Sequence, residues 1–363
     1  MSVFTRLYRG ETRIDFIGSR RRWYLASLIL IAICVVSMLF RGFNVGIDFK
    51  GGTQFQVKAV NNSITTKSVE AAIATTGHSA DTAAQEVGSG ATRQIVVKTQ
   101  ELNLQQVNDV QTKLGKALNI DANKNISTDS VSSSWGSEIT KKAVQGLIVF
   151  LIVVFAYITL RFEWKMAAGA LTALLHDLVI AAGIYSLVGF ELTPSTIVGL
   201  LTILGFSLYD TVVVFDKVAE NSKDLLATAR MTYPEAANLA VNQTLMRSIN
   251  TSLISLLPVA GLLFVGSLLL GVGTIKDLAL ILFVGLAIGA YSSLFLATPV
   301  VVDLKEREPQ YRALTKRVLA KRASARLGEP VLAGPAVPAL RGKPAPAPKP
   351  GARPATRPAK KRS

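Results

Sequence analysis

Six long runs of apolar residues dominate the chain, at positions 23–40, 143–160, 166–190, 194–215, 248–270 and 278–302. Each is 18 to 25 residues long, and a helix needs roughly 20 residues to cross the hydrocarbon core of a bilayer. The pattern predicts a polytopic α-helical membrane protein with six transmembrane helices. Between the first two runs the character changes. Residues 53–60 alternate like a strand, 66–76 have helical apolar spacing, and 83–87 and 93–99 read as two strands around Gly88 to Gly90. Leu104, Val107, Val110 and Leu114 mark a second amphipathic helix, and a weaker strand near 125–133 completes the order β-α-β-β-α-β. That order predicts one ferredoxin-like α+β outer domain. The expected organisation is thus an N-terminal segment (1–22), a first span (23–40), the α+β domain (41–142), spans two to six (143–302) and a basic disordered tail (303–363).

Composition agrees, since 50% hydrophobic against 18% charged residues leaves too little polar surface to cover two soluble domains in 363 residues. The first run is too long for the apolar core of a signal peptide and lacks an A-x-A cleavage site, so it reads as a retained anchor. Charge then sets the orientation. Arg6, Arg9, Arg13, Arg20, Arg21 and Arg22 precede the first span, and residues 303–363 carry 16 Lys plus Arg against 4 Asp plus Glu. By the positive-inside rule both termini lie in the cytoplasm and the α+β domain lies outside. The tail supplies most of the net charge of +16. It reads as a topology signal near anionic lipid, and not as a nucleic-acid binder, because residues 331–361 offer no aromatic side chain to stack on a base.

Cofactor chemistry is not expected. Cys34 is the single cysteine and His78 and His176 fall in different segments, which leaves no thiolate cluster or histidine pair for a metal. No G-x-x-x-x-G-K-[ST] stretch is present, so energy would come from an ion gradient or a partner. Nor is enzyme chemistry expected. Ser207 with His176 lacks the second glycine of a nucleophile turn, and Tyr209-Asp210 lacks the second carboxylate of an aspartyl protease, Thr274 following Gly271-Val272-Gly273.

Polar groups inside apolar spans are costly and usually face the bundle interior. Asp177, beside His176, shares a face of the third span with Ala170, Ala173 and Ala181, which points it inward. Asp210 lies on a face of the fourth span with Gly199, Ile203, Phe206 and Ser207. Arg247, Asn250 and Thr251 form a polar face where the fifth span begins, at a depth comparable to Asp210. An Asp210–Arg247 ion pair is the expectation, either as a protonatable element of a transport cycle or as a structural clamp. Gly285, Gly289 and Ser293 form a small-residue ridge suited to helix packing, and Pro258 and Pro299 are potential kinks.

Three motifs in this frame carry a resemblance. Gly46-Ile47-Asp48-Phe49-Lys50-Gly51-Gly52-Thr53, Asp210-Thr211-Val212-Val213-Val214-Phe215-Asp216-Lys217 and Asn242-Gln243-Thr244-Leu245-Met246-Arg247 look like those of the SecF family, over roughly residues 40–304. SecF is the smaller membrane subunit of the bacterial SecD/SecF protein-export complex. The resemblance implies half of a twelve-span bundle of the resistance-nodulation-division type in the cytoplasmic membrane. It implies SecD as partner, work beside the SecYEG channel and SecA on exported polypeptides, and use of the proton gradient. It places Asp210 and Arg247 on the proton path. Asp177 is our addition to that path, with Ser207, Asn250 and Thr251 as supporting polar groups. Many relatives carry Asn where this chain has Tyr209. The alternatives are a proton-coupled small-solute transporter and a structural scaffold of the translocon.

Overall fold

The computed structural model describes residues 14–81, 83–269 and 273–327. The first span is helix α1 (Arg20–Arg41). The chain leaves it through a two-residue strand β1 (Asn44–Val45) and a single helical turn α2 (Ile47–Lys50) before entering the α+β domain. There β2 (Gly52–Lys58), α3 (Thr66–Ala74), β3 (Gln85–Val87), β4 (Gln94–Thr99), α4 (Leu104–Ala117), a short α5 (Ala122–Asn125) and β5 (Ile126–Val131) follow in order. The remaining spans are α6 (Ser133–Arg161), α7 (Trp164–Val188) and, after β6 (Glu191–Leu192), α8 (Pro194–Ser222), then a short α9 (Leu225–Thr228) and α10 (Tyr233–Gly261). A π-helical stretch (Leu262–Leu269) extends the fifth span. The sixth is α11 (Gly273–Ser292), a π-helical turn (Ser293–Ala297) and α12 (Thr298–Glu306), and α13 (Pro309–Leu327) closes the described chain. Six helices are long and apolar enough to cross a membrane.

Several helices overrun the apolar runs because caps, not hydrophobicity, set their ends. Thr232 accepts from Glu235 N while the Glu235 carboxylate accepts from Thr232 N, starting α10 well before residue 248. Thr193 and Thr196 do the same for α8, with Pro194 in the first turn. At the sixth span, Pro299 lacks an N–H and its ring would clash with a carbonyl four residues earlier. The helix there is widened into the π turn.

The four-stranded antiparallel sheet has the order β3-β4-β2-β5. This is the ferredoxin-like arrangement that the element order implies. One sheet face, with Phe55, Val57, Ile95 and Val97, packs on Val69 and Ile73 of α3 and Val110 and Leu114 of α4. The other face is polar, and Gln54, Gln56 and Lys98 line a groove of ≈ 680 Å³ with Asp48, Glu191 and Asp277.

Two features fasten this domain to the helices. β1 pairs in parallel with β6, Asn44 opposite Glu191 and Val45 opposite Leu192, and Lys98 of β4 pairs with Glu191. The chain therefore crosses from α1 into the sheet against the loop that joins α7 to α8. Gly51 (φ +80°) makes that turn possible: a Cβ there would lie 2.6 Å from Ser133 N. Gly136 of α6 similarly allows Phe49 O to approach, within 2.5 Å of where a Cβ would stand.

One expectation for the chain ends is corrected. The tail is not disordered from residue 303: α12 continues to Glu306, α13 follows, and Tyr311, Leu314 and Val318 are buried in one cluster with Leu225 and Tyr233. Their i, i+3, i+7 spacing is an apolar stripe hidden among basic residues. Residues 328–363, the Pro/Ala-rich part of the predicted tail, lie outside the described residues, as do residues 1–13 and Gly271-Val272. The described part of the N-terminal segment packs on α10. Phe16 and Ile17 are buried, and Asn238 and Asn242 of α10 accept from the backbone N–H groups of Phe16 (2.8 Å) and Ile14 (3.0 Å).

Candidate functional site

The fourth and sixth spans cross at van der Waals distance because glycine occupies the crossing. A Cβ on Gly285 would lie 2.1 Å from Ile203 Cδ1, and one on Gly199 would lie 2.3 Å from Ile281 Cγ2. Gly289 approaches Ser207, with 3.1 Å between that Cβ and a hypothetical one on the glycine. The small-residue ridge thus does what its spacing predicts, and it brings the polar residues of α7, α8, α10 and the sixth span together.

Two buried carboxylates result. Asp177 is 2% exposed and Asp210 is 5% exposed. Asp177 Oδ2 accepts from Ser207 Oγ (2.6 Å) and Ser292 Oγ (2.7 Å), and its Oδ1 lies 3.1 Å from His176 Nδ1. Asp210 Oδ1 accepts from Ser248 Oγ (2.7 Å) and its Oδ2 from Ser293 Oγ (2.5 Å). Among the described residues no lysine or arginine pairs with either carboxylate. Hydroxyl dipoles, not cations, therefore offset the desolvation of these groups.

The expected Asp210–Arg247 ion pair is not formed. Arg247 is exposed on α10 and donates from Nη2 to Tyr209 Oη at 3.3 Å. Helical geometry explains this: the buried face of α10 runs through Val241, Thr244, Leu245, Ser248 and Ser252, which turns position 247 away. Asn250 lies exposed and Thr251 half-buried, so neither joins the carboxylates as expected. Ser207, by contrast, does reach inward, to Asp177 rather than Asp210.

Ser248 and Ser292 escaped the sequence reading, and Ser293 was assigned only to packing. A serine in an apolar helix satisfies itself by bonding back to its own backbone, so the residue type carries little signal. Ser248 was detectable as the small residue on the same helical stripe as Val241 and Thr244.

The chain matches the family model described as "Protein export membrane protein SecD/SecF, C-terminal" over residues 110–307, and "SecD/SecF GG Motif" over residues 36–62. It is 48% identical to a protein translocase subunit SecF of Streptomyces coelicolor over 318 residues, covering 88% of this chain and 84% of that one. The chain belongs to the SecF branch of the SecD/SecF protein-export family. A SecF of Mycobacterium tuberculosis is 47% identical, covering 89% of this chain and 74% of the relative. The crystal structure of SecDF from Thermus thermophilus superposes with a TM-score of 0.71 at 33% identity, covering 82% of this chain and 39% of that longer one.

In this SecF-family chain the GG motif is the Gly51–Gly52 turn that docks the α+β domain on α6. The C-terminal match takes in Asp177, Asp210 and all four serines that bind them. The chain is a multi-pass membrane protein of Sec-dependent protein translocation.

Proposed function

We propose that the chain pairs with a SecD-type subunit and uses the proton gradient to promote export of polypeptides beside the SecYEG channel and SecA. Asp210 carries this reading. It is buried among apolar helices, held by two hydroxyls and, among the described residues, unpaired with any lysine or arginine, and an ionisable group so placed inside a membrane is the kind that relays protons. Each proton moved across the membrane supplies ~2.3 kcal/mol per 100 mV, enough to bias helix arrangements that differ by a few kcal/mol.

The exposed row Arg247 and Asn250 supports the partner. Charged and polar side chains facing lipid are costly, so we take this face of α10 to be covered by protein in the working complex, and the longer SecDF relative has length for such a second half. Arg247 then lies where partner contacts can swing it from Tyr209 to Asp210. The β1–β6 pairing and the Lys98–Glu191 contact supply the linkage by which a shift of α7 against α8 moves the α+β domain, which we place on the outer face with both termini cytoplasmic.

The deciding experiment is gradient-dependent export in vesicles, with complex assembly verified. Asp210→Asn keeps volume and hydrogen-bond acceptance but fixes neutrality, and it should abolish the gradient-dependent part while SecA-driven export persists. Wild-type gradient dependence in Asp210→Asn would leave the structural clamp, which the saturated hydroxyl contacts favour.

A further inference from the structure

His176 takes no part in the mechanism above, yet it is 3% exposed inside an apolar span. Asp177, as an acceptor, requires the proton on His176 Nδ1, and Nε2 is buried with no hydrogen-bond partner. An unpaired ring nitrogen in such a setting is costly. The ring edges a cleft of ≈ 380 Å³ between the first and third spans, which Tyr24 and Ser27 also line.

Polar groups continue from that cleft to the helix ends. Tyr291 stacks on His176, ring centroids 6.0 Å apart, and its hydroxyl lies 3.1 Å from Ser27 Oγ. One turn earlier, Tyr24 donates to Asp303 at 2.7 Å, where Arg20 also pairs with Asp303. On the other side Asp177 contacts Ser292, whose neighbour Ser293 holds Asp210. Between the helix ends and Asp210 these polar groups form separate hydrogen-bonded clusters, Asp303 with Tyr24, Ser27 with Tyr291, His176 with Asp177, Ser207 and Ser292, and Ser293 with Asp210.

We propose that His176 and Asp177 form a second protonation site beside Asp210, the two carboxylates held by the consecutive residues Ser292 and Ser293 of one helix. The inference rests on the reading of Asp210 as a proton carrier. Delivery of a hydronium's proton to Nε2, which this arrangement of helices closes off, with passage of the Nδ1–H proton to Asp177 Oδ1, leaves water, a neutral imidazole and a neutral carboxyl. Charge and atoms balance, and no redox partner is involved. His176 is a relay because both nitrogens face different surroundings, and Asp177 is the acceptor because three donors converge on it.

Other titratable groups on the surrounding helices are accounted for. The first span adds Cys34, which contacts Ile180 O at 3.9 Å. The fifth span's Arg247 turns to Tyr209 of the fourth, and the second span has Tyr157, exposed, and Arg161 at its end, paired with Asp216.

The chain contains only two histidines, His78 and His176, so ¹⁵N-histidine labelling of the full chain in complex with its SecD partner, with His78→Gln for assignment, isolates the ring. We expect the proton on the His176 ring to sit on Nδ1 in the wild type and to move toward Nε2 in Asp177→Asn, where the carboxylate that holds it on Nδ1 is gone. His176→Phe should lower gradient-dependent export at least about tenfold with assembly intact. An unchanged tautomer in Asp177→Asn overturns the relay even if His176→Phe misassembles. Loss of gradient dependence in Asp210→Asn alongside its retention in His176→Phe overturns the relay only. Retention in Asp210→Asn overturns the underlying reading.

Discussion

Ser292 and Ser293 are consecutive in the chain but donate to different carboxylates, Ser292 to Asp177 at 2.7 Å and Ser293 to Asp210 at 2.5 Å. The π turn that starts at Ser293 lies at the point where they diverge, and π turns inside α-helices often mark functional positions. Each serine should therefore report on its own carboxylate. Removing a hydroxyl from a buried charged acceptor costs about 1–3 kcal/mol. Ser293→Ala should disturb gradient-dependent export in the manner of Asp210→Asn, and Ser293→Thr should restore it. Equal behaviour of Ser293→Ala and wild type in the vesicle assay would show that this hydroxyl does not serve Asp210.

Arg247, turned away from Asp210 by the face of α10 on which it lies, donates to Tyr209. Tyr209→Phe removes the accepting oxygen and leaves the ring. The guanidinium is then released from the fourth span, and gradient-dependent export should change. Export that coincides with wild type would separate Tyr209 from the coupling step.

The glycine crossing of the fourth and sixth spans should tolerate no side chain. Gly285→Ala places a methyl group against Ile203, and overpacking of this kind costs about 1–3 kcal/mol. Thermal unfolding in detergent should show the loss, and Ile203→Ala combined with Gly285→Ala should recover most of it. Additive losses would place the strain elsewhere.

Asp48 lies beside the polar groove, and burial, with Glu191 nearby, raises its carboxyl pKa against the opposing pull of Lys98. The folded state therefore holds this proton to higher pH than the unfolded chain does. Stability drawn from Asp48 is complete below the ordinary aspartate value of about 4 and declines as pH rises through the folded value. Asp48→Asn should unfold at a higher temperature than wild type at neutral pH, the gap closing as the pH falls. A gap that widens on acidification would contradict the sign.

Orientation can be read by cysteine labelling in a Cys34→Ser background. Ser89→Cys, in the turn between β3 and β4, should react with an impermeant reagent in intact cells, whereas Thr228→Cys, in α9 between the fourth and fifth spans, should react only after permeabilisation. The reverse pattern would invert the topology.

The number of spans, the β-α-β-β-α-β order and the inward direction of Asp177 and Asp210 follow from local periodicity, because helix and strand repeats decide which residues share a face before any partner is present. The partners of those carboxylates do not. Rotation of the helix by about 100°, one residue's step, decides whether Arg247 or Ser248 meets Asp210, and that rotation is set by packing: Gly285 against Ile203, Gly289 against Ser207, and Asn238 and Asn242 gripping the N-terminal segment. The helix over Pro309–Leu327 was missed for the same reason. Its charge is visible along the chain, but Tyr311, Leu314 and Val318 become a buried face only when Leu225 and Tyr233 are brought beside them.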